Sequence, residues 1–219
     1  ITVNNIFLRI MHLIGGFSPT IASYISLKRS NKVKNFKEWL KEIFDIKHNI
    51  WTYALVILFV LIYYVLGCAI NGYEMGAPIF MLIIILPMML FGGGNEEVGW
   101  RMILQPELEK NFGFNIATLF TAIIWWLWHL PIFFIKGTAN VNMNYFLFGI
   151  MCLTLCYALA TIRKVSKGVF PCILLHCLIN GLSAIFVFNY SPLSCVISLI
   201  VTILVSMLIL NINKRYIRE

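Results

Sequence analysis

Six polar side chains stand inside stretches that are otherwise apolar enough for lipid: Glu96, Glu97, Arg101, His129, His176 and Asn180. An ionisable group at the centre of a membrane helix costs at least ~2.5–3.5 kcal/mol on insertion scales, so each is a functional candidate by default. Spacing sorts them. Glu97 and Arg101 lie at i,i+4, share one helix face and can pair within it. Glu96 then points about 100° away from that pair and is free to face a bundle centre. His176 and Asn180 repeat the i,i+4 spacing, as do Trp125 and His129.

One carboxylate, two imidazoles and an amide make a hydrolytic set. A glutamate shielded from bulk water can serve as general base toward a water molecule, and a neutral histidine can hold that water in place. A second histidine and an asparagine amide can donate hydrogen bonds to a developing oxyanion. The same Glu96, His129 and His176 can instead hold a divalent metal such as zinc, with one position left open for water. Residue types and spacing leave both schemes open, and also leave open that there is no cofactor.

These residues need elements to carry them, and the composition says which kind. Of 219 residues, 60% are hydrophobic and 12% charged, with mean hydropathy +0.86. A soluble domain is about half apolar and about a quarter charged. Disorder, a soluble basic nucleic-acid binder and a secreted disulfide scaffold are excluded together. An all-α polytopic membrane bundle is expected, forming one domain over 1–219 with its motif-bearing core at 77–188. A bilayer core needs ~20 apolar residues per helix. On that measure seven spans are expected, at 5–27, 50–71, 77–108, 115–135, 143–162, 168–188 and 192–212. A further piece is expected before Ile1, which stands where a start methionine would. The third span reads as one helix of ~32 residues, or ~48 Å, open to a kink or break at Pro87 or at the glycines of 92–94. A turn near 111–113 would bring Glu96 and His129 to similar depth. Counting from Lys167 puts His176 shallower than both.

Charge placement orients the bundle. The connection at 28–49 holds Lys28, Arg29, Lys32, Lys34, Lys37, Lys41 and Lys47. Arg163, Lys164 and Lys167 fall on the same side, with Lys214, Arg215 and Arg218 in the tail, whereas the opposite loops hold only Lys136. The positive-inside rule places the basic loops and the C-terminus in the cytoplasm, and the Ile-, Asn- and Lys-rich composition points to a bacterial plasma membrane. The net charge of +8 thus reflects topology and the lipid bilayer, with no nucleic-acid partner. The amphipathic FKEWLKEIF stretch is expected flat on the membrane surface. Trp100, Trp125, Trp126 and Trp128 read as packing and interface anchors.

Other intramembrane protease chemistries lack their residues. There is no HExxH for a zinc protease of that type. Asp45 is the only aspartate, which excludes a paired-aspartate site, and there is no GxSG for a serine nucleophile. The six cysteines form no CxxC and read as small hydrophobes.

EEVGWR at 96–101 matches an EExxxR motif, WWLWH at 125–129 resembles FxxxH with Trp125 in place of Phe, and HCLIN at 176–180 matches HxxxN. In this order and inside apolar spans, they resemble the CPBP (CAAX protease and bacteriocin-processing, or Abi) family of intramembrane proteases. WRMILQPELEKNFG, WLWHLPIFF and GGFSPTIAS extend the resemblance from about Gly15 to Ser183. It implies that Glu96 activates water and His129 orients it, while His176 and Asn180 stabilise the oxyanion. Glu97 and Arg101 would brace the site. The family is described both as metal-dependent and as metal-free, so the resemblance does not choose between the schemes. Trp125 and Met102 depart from its pattern, the first expected to preserve packing and the second to alter helix packing.

The expected function is cleavage of a membrane-associated peptide or lipidated protein by an enzyme like type II CAAX prenyl endopeptidases, or the maturation of a bacteriocin or pheromone. The expected cavity lies between the third, fourth and sixth spans and opens to the cytoplasm. Two other classes stand beside it: a non-catalytic immunity or scaffold protein, and a small transporter using Glu96 as its ion site.

Overall fold

The computed structural model describes residues 6–216; Arg218 of the basic tail lies outside them. The fold is an all-α membrane bundle. Helix α1 runs Ile6–Arg29 straight through Pro19, and the short surface helix α2 covers Phe36–Ile43. Asn35 caps α2 by accepting from Glu38 N, and its apolar face buries Trp39 and Ile43. Helix α3 spans Ile50–Asn71 and α4 covers Leu82–Met89. Next come α5, Glu97–Gly99, a π-turn at Trp100–Leu104 and α6, Gln105–Trp128. Helix α7 covers Tyr145–Ser166, α8 Phe170–Leu182 and α9 Pro192–Tyr216.

Among the described residues, four helical stretches are long and apolar enough to cross a membrane: Ile50–Asn71, Ile79–Phe134, Tyr145–Ser166 and Pro192–Asn213. The second is not one rod. It breaks at Gly93, with φ 140°, and turns at Gly113, with φ 72°. The expected single helix over 77–108 is therefore two pieces: Pro87 sits within α4 without ending it, and Gly93 makes the break. The turn expected near 111–113 is present.

The sixth expected span, 168–188, is shorter than its hydropathy suggests. Helix α8 has 13 residues, or ~20 Å at 1.5 Å per residue, against ~30 Å of hydrocarbon. The chain then forms β2, Phe186–Val187, antiparallel to β1, Glu74–Met75. Gly76 N and Ala77 N extend this strap to the carbonyls of Ile185 and Ala184, each at 2.8 Å. A Gly76 Cβ would stand 2.5 Å from Ala184 O, so the strands can close here only around a glycine.

Packing follows membrane logic. On α9, Ser194, Ser198, Thr202 and Ser206 turn inward while Ile200, Leu204 and Leu208 face out. Interhelical contact in lipid is made by small and hydroxyl side chains, and the bulky aliphatics are left to the lipid. Helix α7, in contact with α3, α6, α8 and α9, likewise buries Cys152, Cys156, Ala158 and Ala160.

The basic connections gather at one end. Lys32 bonds Glu107 at 2.8 Å, and Lys164 bonds Glu109 at 2.5 Å. His48 packs on Gly168 beside them. The β-strap and the 129–144 connection form the other end.

Helix α1 is pressed hard against the end of α5: a Cβ on Gly99 would lie 2.5 Å from Pro19 Cβ and 2.7 Å from Pro19 O. Gly99→Val is expected to force these helices apart at about 1–3 kcal/mol, lowering the melting temperature in detergent. Gly15→Ala, with nothing within 4 Å of its new carbon, serves as control and leaves that temperature unchanged.

Candidate active site

The break at Gly93 decides how two consecutive glutamates are used. A positive φ there turns the chain through a single 3-10 turn at Gly94–Glu96 before α5 begins. A side chain on Gly94 would run into Cys177 of α8, so the backbone passes directly against that helix. On its other flank, Thr20 donates to Asn95 O at 2.7 Å, and Asn95 Nδ2 donates to Gly16 O at 3.2 Å. The loop is thus held between α1 and α8.

Glu96 and Glu97 then diverge. Glu97 is fully buried and divides its oxygens: Oε2 accepts from Arg101 Nε, and Oε1 pairs with His176 Nδ1, both at 2.8 Å. Arg101, also fully buried, reaches Cys156 Sγ with its Nη2 at 3.1 Å. Glu96 Oε2 accepts instead from Trp125 Nε1 at 2.9 Å.

The histidines have defined ring orientations. A carbonyl only accepts, so His129 Nδ1 donates to Trp125 O at 2.8 Å, which leaves Nε2 available. His176 spends Nδ1 on Glu97, leaving its Nε2 beside Asn180 Nδ2. Those two nitrogens lie 3.0 and 2.5 Å from where a Gly93 Cβ would stand. The missing carbon is therefore what opens the space they face. The Trp125 ring lies between the two imidazoles, with centroids 5.5 Å from His129 and 5.4 Å from His176.

The depth mismatch expected for His176 disappears because α8 starts deeper than the 109–113 turn. Arg163 Nε donates to Arg101 O at 2.8 Å, so the α7–α8 turn lies level with Arg101.

A cavity of about 1230 Å³ is lined by Glu96, His129, His176 and Asn180, with Asn95 and Trp125 in the same wall. Glu97 and Arg101 are absent from the lining. The six sequence candidates thus divide into four that face the cavity and two that stand behind it. The rim comes from Gly15–Phe17, the 140–144 segment and 183–190, all remote from the basic connections. The lining includes residues of the 140–144 and 183–190 segments and none of the basic connections.

The metal arrangement can be tested on geometry. Among the described residues no three His, Cys, Asp or Glu side chains come together as a metal-holding group.

Three contributors escaped the sequence reading. Asn95 and Thr20 anchor the loop; Asn95 was visible as a polar residue next to Glu96 in an apolar run. Trp125, read as packing, supplies an N–H that only the folded structure aims at Glu96.

This architecture defines a helical integral membrane protein built around a buried polar cavity. Residues 78–182, which hold all six candidates, match the family described as type II CAAX prenyl endopeptidase Rce1-like. A curated relative, the CAAX prenyl protease 2 of Methanococcus maripaludis, is 24% identical over 204 residues, covering 82% of this chain and 73% of the relative. Together the two matches support an Rce1-like member of the CPBP family and indicate a protease.

The division of labour between the glutamates can be measured. Glu97→Gln leaves Arg101 buried without a counter-charge, and is expected to cost about 3–5 kcal/mol of stability. Glu96→Gln keeps an oxygen for Trp125, and is expected to change stability by no more than about 1 kcal/mol. Thermal unfolding of both variants in detergent checks the contrast.

Proposed function

We propose that this protein is an intramembrane endopeptidase in which Glu96 activates water against a peptide bond of a membrane-associated substrate. The observation that carries the reading is the convergence of Glu96, His129, His176 and Asn180 on one cavity. Glu96 takes a proton from water while His129 Nε2 holds that water, and the hydroxide adds to the peptide carbonyl carbon. His176 and Asn180 donate to the oxyanion from Nε2–H and Nδ2–H; the doubly protonated ring is the form that serves both Glu97 and the oxyanion. Collapse of the adduct breaks the C–N bond, and the proton on Glu96 passes to the leaving amine. Glu97 and Arg101 touch no substrate in this scheme and fix the position of His176.

Trp125 positions the base. Its N–H fixes one oxygen of Glu96 and its carbonyl fixes His129, a function that the Phe of the family motif cannot supply to the carboxylate.

The substrate reading is a peptide, free or lipid-anchored. The relative's name supplies prenylated C-terminal peptides as the first probe. The apolar wall of Phe148, Met151, Leu155, Phe186 and Phe188 is suited to a lipid chain or to apolar side chains. The maturation of a bacteriocin-like or pheromone-like peptide belongs to the same reading. The filled motif set and the family match both favour an enzyme over a scaffold or a transporter.

Purified protein in detergent is expected to cleave at least one of a panel of farnesylated and unmodified peptides. Glu96→Gln is expected to lower kcat by about 10²–10⁴-fold. No cleavage by folded wild type, or equal rates in both proteins, sinks the reading. Trp125→Phe keeps a ring but loses the donor, and is expected to lower kcat about 10- to 100-fold with KM little changed. A rise in KM at constant kcat would make Trp125 a substrate contact instead.

A further inference from the structure

We infer that the free edge of β2 is a substrate subsite, on which an extended peptide pairs along 186–189 as a third strand of the strap. This rests on the reading of the cavity as the catalytic one, and it adds how that cavity grips a peptide backbone.

The two edges of the strap differ. β1 and β2 form a sheet of two strands, so each keeps one side unpaired. A strand turns about half of its N–H and C=O groups to each side. None of residues 74–77 lines the cavity, whereas Phe186, Val187, Phe188 and Asn189 all do. Just beyond the ladder, among the described residues, Phe188 and Asn189 make no backbone–backbone hydrogen bond. Unpaired peptide groups at membrane depth are costly unless they line a wet cavity or meet a partner.

The edge is held in place before any peptide arrives. A side chain on Gly67 of α3 would collide with the Phe188 ring, so that ring lies directly on the helix backbone. Phe186 and Phe188 both pack on Tyr64, with centroids 5.9 and 6.1 Å away. The hydroxyls of Tyr190 and Tyr63 bond at 2.9 Å, and the Tyr64 hydroxyl donates to Ile179 O, next to Asn180. Helix α3 thus keeps the strap and the Asn180 amide in one frame. A rigid edge takes up a peptide without the cost of ordering itself first.

The reaction asks for such an edge. In a helix every peptide carbonyl is engaged by the N–H four residues on, and hydroxide reaches its carbon only after the turn is opened. Opening it frees N–H and C=O groups that need new partners. Strand addition supplies them through the main chain, with no demand on side-chain identity. The edge at 186–189 offers about 13 Å of pairing at ~3.3 Å per residue. It begins shortly after Asn180, so a peptide paired there has its end beside the oxyanion donors.

The first test uses a farnesylated peptide that the detergent-solubilised wild type cleaves. It is N-methylated one residue at a time, sparing the scissile bond. On one side of that bond, within about four residues, alternate positions are expected to raise KM about 10-fold or more. The positions between them are expected to change it less than about 3-fold. A flat profile, or an equal penalty at every position, overturns the subsite.

The second test assigns the pairing to β2. Val187→Cys and Asn189→Cys, both at exposed positions, are made separately in a Glu96→Gln background so that peptide survives. Each is oxidised with copper in the presence of the same peptide carrying one cysteine at successive positions. The Glu96→Gln protein without an added cysteine serves as blank, since five of the six native cysteines are buried. The peptide position that cross-links is expected to shift by two residues between the variants, the period of a strand. Cross-links that do not shift, or none above the blank, overturn the subsite. A two-residue shift without cleavage by wild type removes the protease reading and leaves the subsite. Cleavage with a flat methylation profile removes the subsite and leaves the protease.

Discussion

Glu97 is buried without access to water, and so is Arg101. Taking two such charges out of water costs several kcal/mol per ion, and their attraction repays this only when the remaining hydrogen-bonding capacity is also satisfied. The carboxylate meets that condition by spending one oxygen on Arg101 and the other on His176, at 2.8 Å each. One interaction thereby joins the π-turn after α5 to the middle of α8. It also fixes the His176 ring, since a nitrogen committed to Glu97 turns the other toward the cavity. With Arg101 held, its carbonyl is placed to receive Arg163, which ties the α7–α8 turn to the same level. The depth of α8 in the bundle follows from a single buried carboxylate.

The irregular backbone around it obeys the rule that non-helical chain at membrane depth survives only when packed in protein or lining a cavity. Gly93 breaks the helix where the cavity begins, and the next turn recovers its hydrogen bonds locally, Asn95 N to Leu90 O at 3.0 Å and Glu96 N to Gly93 O at 2.9 Å. Thr20 takes up the carbonyl of Asn95. The shortness of α8 is accommodated at the strap, where the chain beyond it pairs with β1. A continuous helix over 77–108 would have exposed fewer backbone groups. It would also have kept Gly93 and Gly94 from passing against α8, where His176 and Asn180 need a backbone without side chains.

What the sequence discloses and what it withholds divide along physical lines. Charged and amide side chains in apolar runs are legible because their insertion cost is a property of residue type. All six therefore emerged, and the pairing of Glu97 with Arg101 followed from i,i+4 spacing. The turn at Gly113 was legible from a polar cluster. Hydropathy is averaged over a window, however, and cannot tell a spanning helix from a short one followed by an apolar strap, which is why α8 was overestimated. Whether Pro87 or Gly93 breaks the third span depends on the approach of α8, a tertiary fact. Trp125 was legible as a ring and not as a donor, because the direction of an indole N–H is set by rotamer and neighbours. Which loop segments line the cavity was not legible either, since it depends on how the helices pack.

The cavity and the packed network behind it perform different work. Hydrolysis consumes one water for each bond cut, and hydrocarbon excludes water, so the cavity must be wet while lying at membrane depth. A buried ion pair a turn away must stay dry, because water reaching Arg101 would weaken the attraction that holds His176. The cavity takes lining from the 140–144 and 183–190 segments, while Arg101, Gln105 and Thr118 are fully buried, which separates these requirements. Glu96 lies at the boundary, open to the cavity through its own face and backed by the network of Glu97. Adjacent carboxylates in the chain can serve opposite conditions because the turn at Gly93 lets one helix face look into water and the next into the packed interior.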